Sequence, residues 1–195
     1  IAAPQGAAIS PAVNGQFAEL GSSRLLVGML IGAVYRLRVT GIPLQPGLEV
    51  YPTVEIIDRT YPPRRLAKRF PIRIELAQDE LEMALEGKFV TRVIYIEEST
   101  TALPIVEDPE HQSVFEVAHG DDPLAVADRL GRPVAILRLG GRVPEMDAVD
   151  AEFLFGCPPL VHLHQTSVAE YLQQFGAPPP EAPALVLVPR ETPLS

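Results

Sequence analysis

Val34-Tyr35-Arg36-Leu37-Arg38-Val39 alternates with a period of two: Tyr35, Leu37 and Val39 share one face, with Arg36 and Arg38 opposite. Successive side chains of a pleated strand point to opposite faces, so this stretch predicts a strand with one face in a core and the other toward water. Similar readings extend outward. The apolar run 24–31 suits a buried strand better than a helix. Leu48, Val50, Val54, Ile56 and Ile57 form the next strand pair, and Pro52 implies an edge or a bulge. Phe70, Ile72 and Ile74 alternate against Arg73 and Glu75, giving another strand. Residues 89–95, 114–117 and 134–139 read as further strands, rich in β-branched and aromatic side chains.

Helical signals are short and lie between the strands. Ala77, Leu81, Ala84 and Leu85 follow helical spacing over 77–86, and Gly87 stands where a helix end wants a left-handed residue. Asp122 and Pro123 open a second helix, 123–130, and Gly131 follows it. Ser167 begins a third, 168–175. The fold class is therefore mainly β: an Ig-like β-sandwich-type core with short crossover helices.

The chain has 195 residues, 47% of them hydrophobic, enough to bury a sizeable core. Its 21 prolines call for short elements joined by rigid turns. Three divisions are expected: an extended N-terminal arm over 1–22, a β-rich core domain over 23–142, and a C-terminal extension over 143–195. No apolar run reaches the ~18 residues of a spanning helix, so no transmembrane segment is expected. One cysteine, Cys157, leaves no partner for an intrachain disulfide. The net charge of −9 argues against nucleic-acid binding, because backbone phosphates repel an acidic surface.

No motif points to catalysis. Walker-type and dinucleotide glycine loops are missing, as is a Gly-x-Ser-x-Gly turn. The spacing Cys157-x4-His162-x-His164 offers three zinc ligands without a fourth in reach, so neither a metal nor a cofactor is expected. The charge pattern is more informative. Residues 61–75 hold five positive and one negative side chain, and 76–130 hold three and thirteen. Arg64, Arg65, Lys68 and Arg69 form a dense cationic cluster after Pro62-Pro63, expected on a stiff exposed loop. Two roles are open to it: pairing with the chain's own helix at Asp79, Glu80 and Glu82, or docking a carboxylate, an anionic polymer or an acidic subunit surface. Leu185, Val186, Leu187 and Val188 sit in a β-prone segment beyond Pro178-Pro179-Pro180. Left exposed, such a segment is an unpaired edge, so it must pair with its own sheet or a neighbour's.

Two resemblances follow. Over residues 30–142, the stretches Val50-Tyr51-Pro52-Thr53-Val54-Glu55-Ile56-Ile57-Asp58-Arg59 and Gly87-Lys88-Phe89-Val90-Thr91-Arg92-Val93-Ile94-Tyr95 look like an uncharacterised family of exported planctomycete envelope proteins. So does Ala127-Asp128-Arg129-Leu130-Gly131-Arg132-Pro133-Val134-Ala135-Ile136-Leu137-Arg138. That resemblance implies export to a periplasmic, cell-surface or extracellular place, and carries over no functional residue. Residues 115–131 resemble the first half of a LysM module, which implies glycan (peptidoglycan) binding; the strand reading of 134–139 and Gly140-Gly141 depart from that module's second half. The expected function is a non-catalytic structural or assembly subunit of a bacterial cell envelope or extracellular structure. Its expected partners are itself or other envelope proteins, met through terminal segments. The alternative is a glycan-binding module, for which zero Trp is a poor endowment.

Overall fold

The computed structural model describes residues 1–19, 21–63, 66–98, 100, 112, 114, 116–118, 120–141 and 151–163. Its strands are β1 (Ala8–Val13), β2 (Gln16–Phe17), β3 (Val27–Gly28), β4 (Val34–Thr40), β5 (Thr53–Ile56), β6 (Val90–Glu97), β7 (Gly131–Leu139) and β8 (Val161–His162). The helices are α1 (Gln78–Leu85), α2 (Pro123–Leu130) and α3 (Ala151–Phe155), with a 3₁₀ turn at Ala67–Arg69. The protein is mainly β, with antiparallel sheets, a sandwich-like core and short helices, as the alternation predicts. Six strands form one sheet in the order β2-β1-β4-β5-β7-β6, and β3 pairs with β8 in a two-stranded ribbon.

The quoted stretch is β4, with Tyr35, Leu37 and Val39 fully buried. Register aligns Tyr35 with Val54 and Val54 with Leu137, so one continuous apolar face crosses β4, β5 and β7. Leu81 and Ala84 of α1, together with Ile42, Ile74 and Leu76, complete this core. Each large aliphatic side chain buried there contributes about 1.5–3 kcal/mol. Ile136, on the opposite face of β7, is also buried, and α2 packs along β6 and β7. Asp122 caps α2 by accepting the Leu124 N–H at 2.9 Å. Gly131 joins α2 directly to β7; a Cβ there would overlap the Ile96 carbonyl and lie 2.9 Å from the Glu97 Cα.

Several expectations need correction. Residues 1–22 are extended but are no free arm. β1 lies inside the sheet, pairing Ile9 with Val39, and Ala7 and Ile9 are core residues. Within 24–31 only Val27 and Gly28 form a strand, and Leu30 and Ile31 are exposed, because the chain turns at Gly32 (φ 77°) to enter β4. Residues 70–74 form no strand: Ile74 is buried, and among the described residues the pairing beside it is an isolated bridge from Glu75 to Ala2. Among the described residues, Val114, Glu116 and Val117 belong to no strand either. Pro52 precedes β5, which is an interior strand, so it marks neither an edge nor a bulge. The helix 168–175 and the segment 184–188 lie outside the described residues.

Candidate functional site: an arginine-clamped loop

Residues 58–70 leave the end of β5 as a loop whose base is closed by local bonds. The Thr60 hydroxyl donates to the Phe70 carbonyl at 3.3 Å. The Leu66 N–H donates to the Pro63 carbonyl at 3.0 Å and the Arg69 N–H to the Leu66 carbonyl at 2.9 Å. Pro62 and Pro63 restrict the backbone between these bonds.

One side chain from the neighbouring strand fastens the loop. Arg132, at the start of β7, donates from Nη1 to the Asp58 carboxylate and, at 2.9 Å, to the Arg59 carbonyl. Its guanidinium carbon lies 5.1 Å from the Tyr61 ring centroid, and that of Arg59 is equally close. A guanidinium over an aromatic face is attracted by the ring quadrupole. Asp58 also accepts the Arg59 N–H at 2.7 Å. That backbone bond, and then Arg132, hold the Asp58 carboxyl below the usual aspartate range. Tyr61 itself is 68% exposed, so the clamp presents an aromatic surface instead of hiding it.

Beside the clamp an open cleft of about 600 Å³ lies against α2, lined by Ile57, Asp58, Leu124, Asp128, Arg132 and Pro133. Its lining mixes apolar side chains with the carboxylates of Asp58, Asp122 and Asp128. Arg132 is engaged by Asp58 and the Arg59 carbonyl, so it holds structure.

Lys68 and Arg69, named from sequence as partner-binding residues, are exposed on the 3₁₀ turn of this loop. Arg64 and Arg65 lie outside the described residues, as do Leu185, Val186, Leu187 and Val188. On α1, Glu80 pairs with Arg92 at 3.2 Å and Glu82 accepts from Gln78 at 2.7 Å, so both carboxylates have partners of their own. Cys157 is half-buried against the core, His162 is exposed on β8, and His164 lies outside the described residues. Among the described residues, no group of three His, Cys, Asp or Glu side chains is placed to hold a metal ion. Also among them, no helix is long and apolar enough to cross a membrane.

The clamp escaped sequence reading because Arg132 and Asp58 are 74 residues apart and meet only through strand pairing. Comparison with family models, curated proteins and solved structures finds no match.

Proposed function

We propose that this chain is a non-catalytic assembly subunit of an exported bacterial structure, periplasmic, cell-surface or extracellular, that associates with copies of itself or with other envelope proteins. The observation that carries this reading is the clamped loop 58–70. A loop closed at its base and stapled by Arg132 loses little entropy on docking, and preorganisation of this kind is what makes small contact surfaces effective. It presents Lys68 and Arg69, adjacent in sequence to Arg64 and Arg65, from a chain whose residues 76–130 hold thirteen acids against three bases. Asp121, Asp122 and Asp128 of a second copy are exposed and of the opposite sign, and such complementarity steers encounter and fixes register. The resemblance to exported planctomycete proteins supports the location.

The N-terminal residues are spent on their own sheet, so the terminal adaptor reduces to the C-terminal segment. Deleting 181–195 should leave a folded chain that no longer assembles, read by circular dichroism and light scattering. A truncated chain that unfolds, or that assembles as before, removes the adaptor from the account.

Glycan binding is a second reading. It is favoured by the cleft against α2, whose Asp122, Leu124 and Asp128 belong to the LysM-like stretch and which adjoins the exposed Tyr61.

A further inference from the structure

The face of the sheet turned away from the main core carries an arginine row. Register aligns Arg36 with Thr53, Thr53 with Arg138, and Arg138 with Thr91, so one line of side chains crosses β4, β5, β7 and β6. At ~4.8 Å between strands, the line is about 14 Å long. Arg38 stands in the next row, opposite Ser10 of β1. Its guanidinium lies 5.4 Å from the Phe17 ring centroid, and Phe17 in turn packs on Tyr51 at 5.7 Å.

The acids facing these arginines are engaged. Glu55 accepts from Arg138 at 2.7 Å, and Glu49 accepts the Tyr51 hydroxyl at 2.6 Å. Burial, reinforced by Glu49, pushes the Tyr51 phenol up to about 12, so it stays neutral. Arg36 donates to the Tyr51 carbonyl at 3.0 Å. Arg38 is different. Among the described residues its guanidinium has no hydrogen bond or ion pair, and its Nε is closed off from solvent without an acceptor. No ligand reaches that Nε, but the two terminal nitrogens are not closed off, and the end of a planar guanidinium meets a carboxylate with two parallel bonds.

We infer that this face binds a carboxylate carried by an acidic saccharide, with Arg38 as the fork and Arg36 and Arg138 as flanking charges. The inference stands apart from the assembly reading, since it uses none of loop 58–70. A peptide is the weaker candidate, because extended peptides are captured at a sheet edge through main-chain bonds, whereas β4, β5 and β7 are interior strands. Their faces offer only side chains. The Thr53 and Thr91 hydroxyls in the row suit a ligand whose other polar groups are hydroxyls. A nucleic acid is disfavoured by the net charge of −9.

The experiment is calorimetric titration of tetragalacturonate into the full chain at low salt. Arg38→Gln should weaken binding about tenfold or more, the scale of a lost charge-assisted bond. Arg138→Gln, which also releases Glu55 into the row, should weaken it to a similar extent. Lys88→Gln, at an exposed cation paired with Glu86 away from this face, should bind as wild type does. Circular dichroism checks each fold, and if Arg38→Gln does not fold, Arg138→Gln decides alone. The inference is overturned if wild type shows no saturable binding, if Arg138→Gln binds as wild type, or if poly-L-glutamate binds as tightly through the same residues.

Discussion

Replacing Arg92 with methionine strands a carboxylate inside the protein. Arg92 projects from β6 onto the core face, aligned with Leu137, and meets Glu80 of α1 at 3.2 Å, with both side chains only 10% exposed. Its other terminal nitrogen donates to the Glu75 carbonyl. Glu80 has a second duty, accepting the Ala77 N–H at 3.3 Å and so helping to start α1. Breaking a buried pair by removing one partner costs about 3–5 kcal/mol, because the other charge is left uncompensated. For a chain of this size each kcal/mol lowers Tm by roughly 2–4 °C, so Arg92→Met should melt about 6–20 °C below wild type. Arg92→Met/Glu80→Gln removes both charges and keeps an oxygen for Ala77. It should recover about half of the loss or more, since neutral replacement of a buried pair costs little.

The pH dependence gives a sharper test of the same site. Burial, outweighing the attraction of Arg92, already holds the Glu80 carboxyl above its usual range. An acid whose folded pKa is raised contributes stability that is complete below its unfolded pKa and is lost as pH rises through the folded one. Without Arg92 the pKa rises further. The deficit of Arg92→Met should therefore shrink between neutral pH and about pH 4, where the carboxyl becomes neutral. Urea denaturation across this range measures it. A deficit under about 1 kcal/mol, one that does not change with pH, or a double variant as unstable as the single would refute the argument.

Gly131→Ala pushes a methyl group into the β6 backbone at Ile96 and Glu97, and should cost about 1–3 kcal/mol in urea denaturation. In the clamp, the Arg59 amide resonance should titrate with Asp58 at a midpoint below 3.8, the ordinary aspartate value. A carboxyl with a lowered folded pKa stabilises above its unfolded pKa, and that contribution is lost as pH falls through the folded value; Arg132→Gln should move the midpoint back up.

Where one residue decides its own environment, the sequence is legible. The alternation of β4, the Asp122-Pro123 opening of α2 and the left-handed Gly87 (φ 84°) are local signals, and each structural feature stands where its signal predicts. The hairpin from β1 to β2 had a local signal as well. Asn14 and Gly15, both at positive φ, form the two-residue turn that favours a hairpin, and Val13 pairs with Gln16 across it. Small residues, Pro4 and Pro11 make residues 2–11 read as linker, because only Ile9 is large and apolar in that stretch; long-range pairing with β4 supplies the burial its own side chains do not announce. The reverse holds at 70–74, where alternation reflects burial of Ile74 beneath a non-strand segment. At the candidate site, the exposure of Lys68 and Arg69 on a loop is legible from charge density and prolines. The Arg132 clamp and the four-strand arginine row depend on register, which no short window of sequence contains.

The central claim, assembly through the cationic loop, is most directly tested by sedimentation velocity of wild type and Arg64→Glu/Arg65→Glu at about 0.05 M and about 1 M salt, where screening lengths differ several-fold. Wild type should sediment above monomer mass at low salt and fall toward monomer at high salt, while the folded double variant remains monomeric in both. Identical mass distributions for the two proteins at low salt would contradict the account.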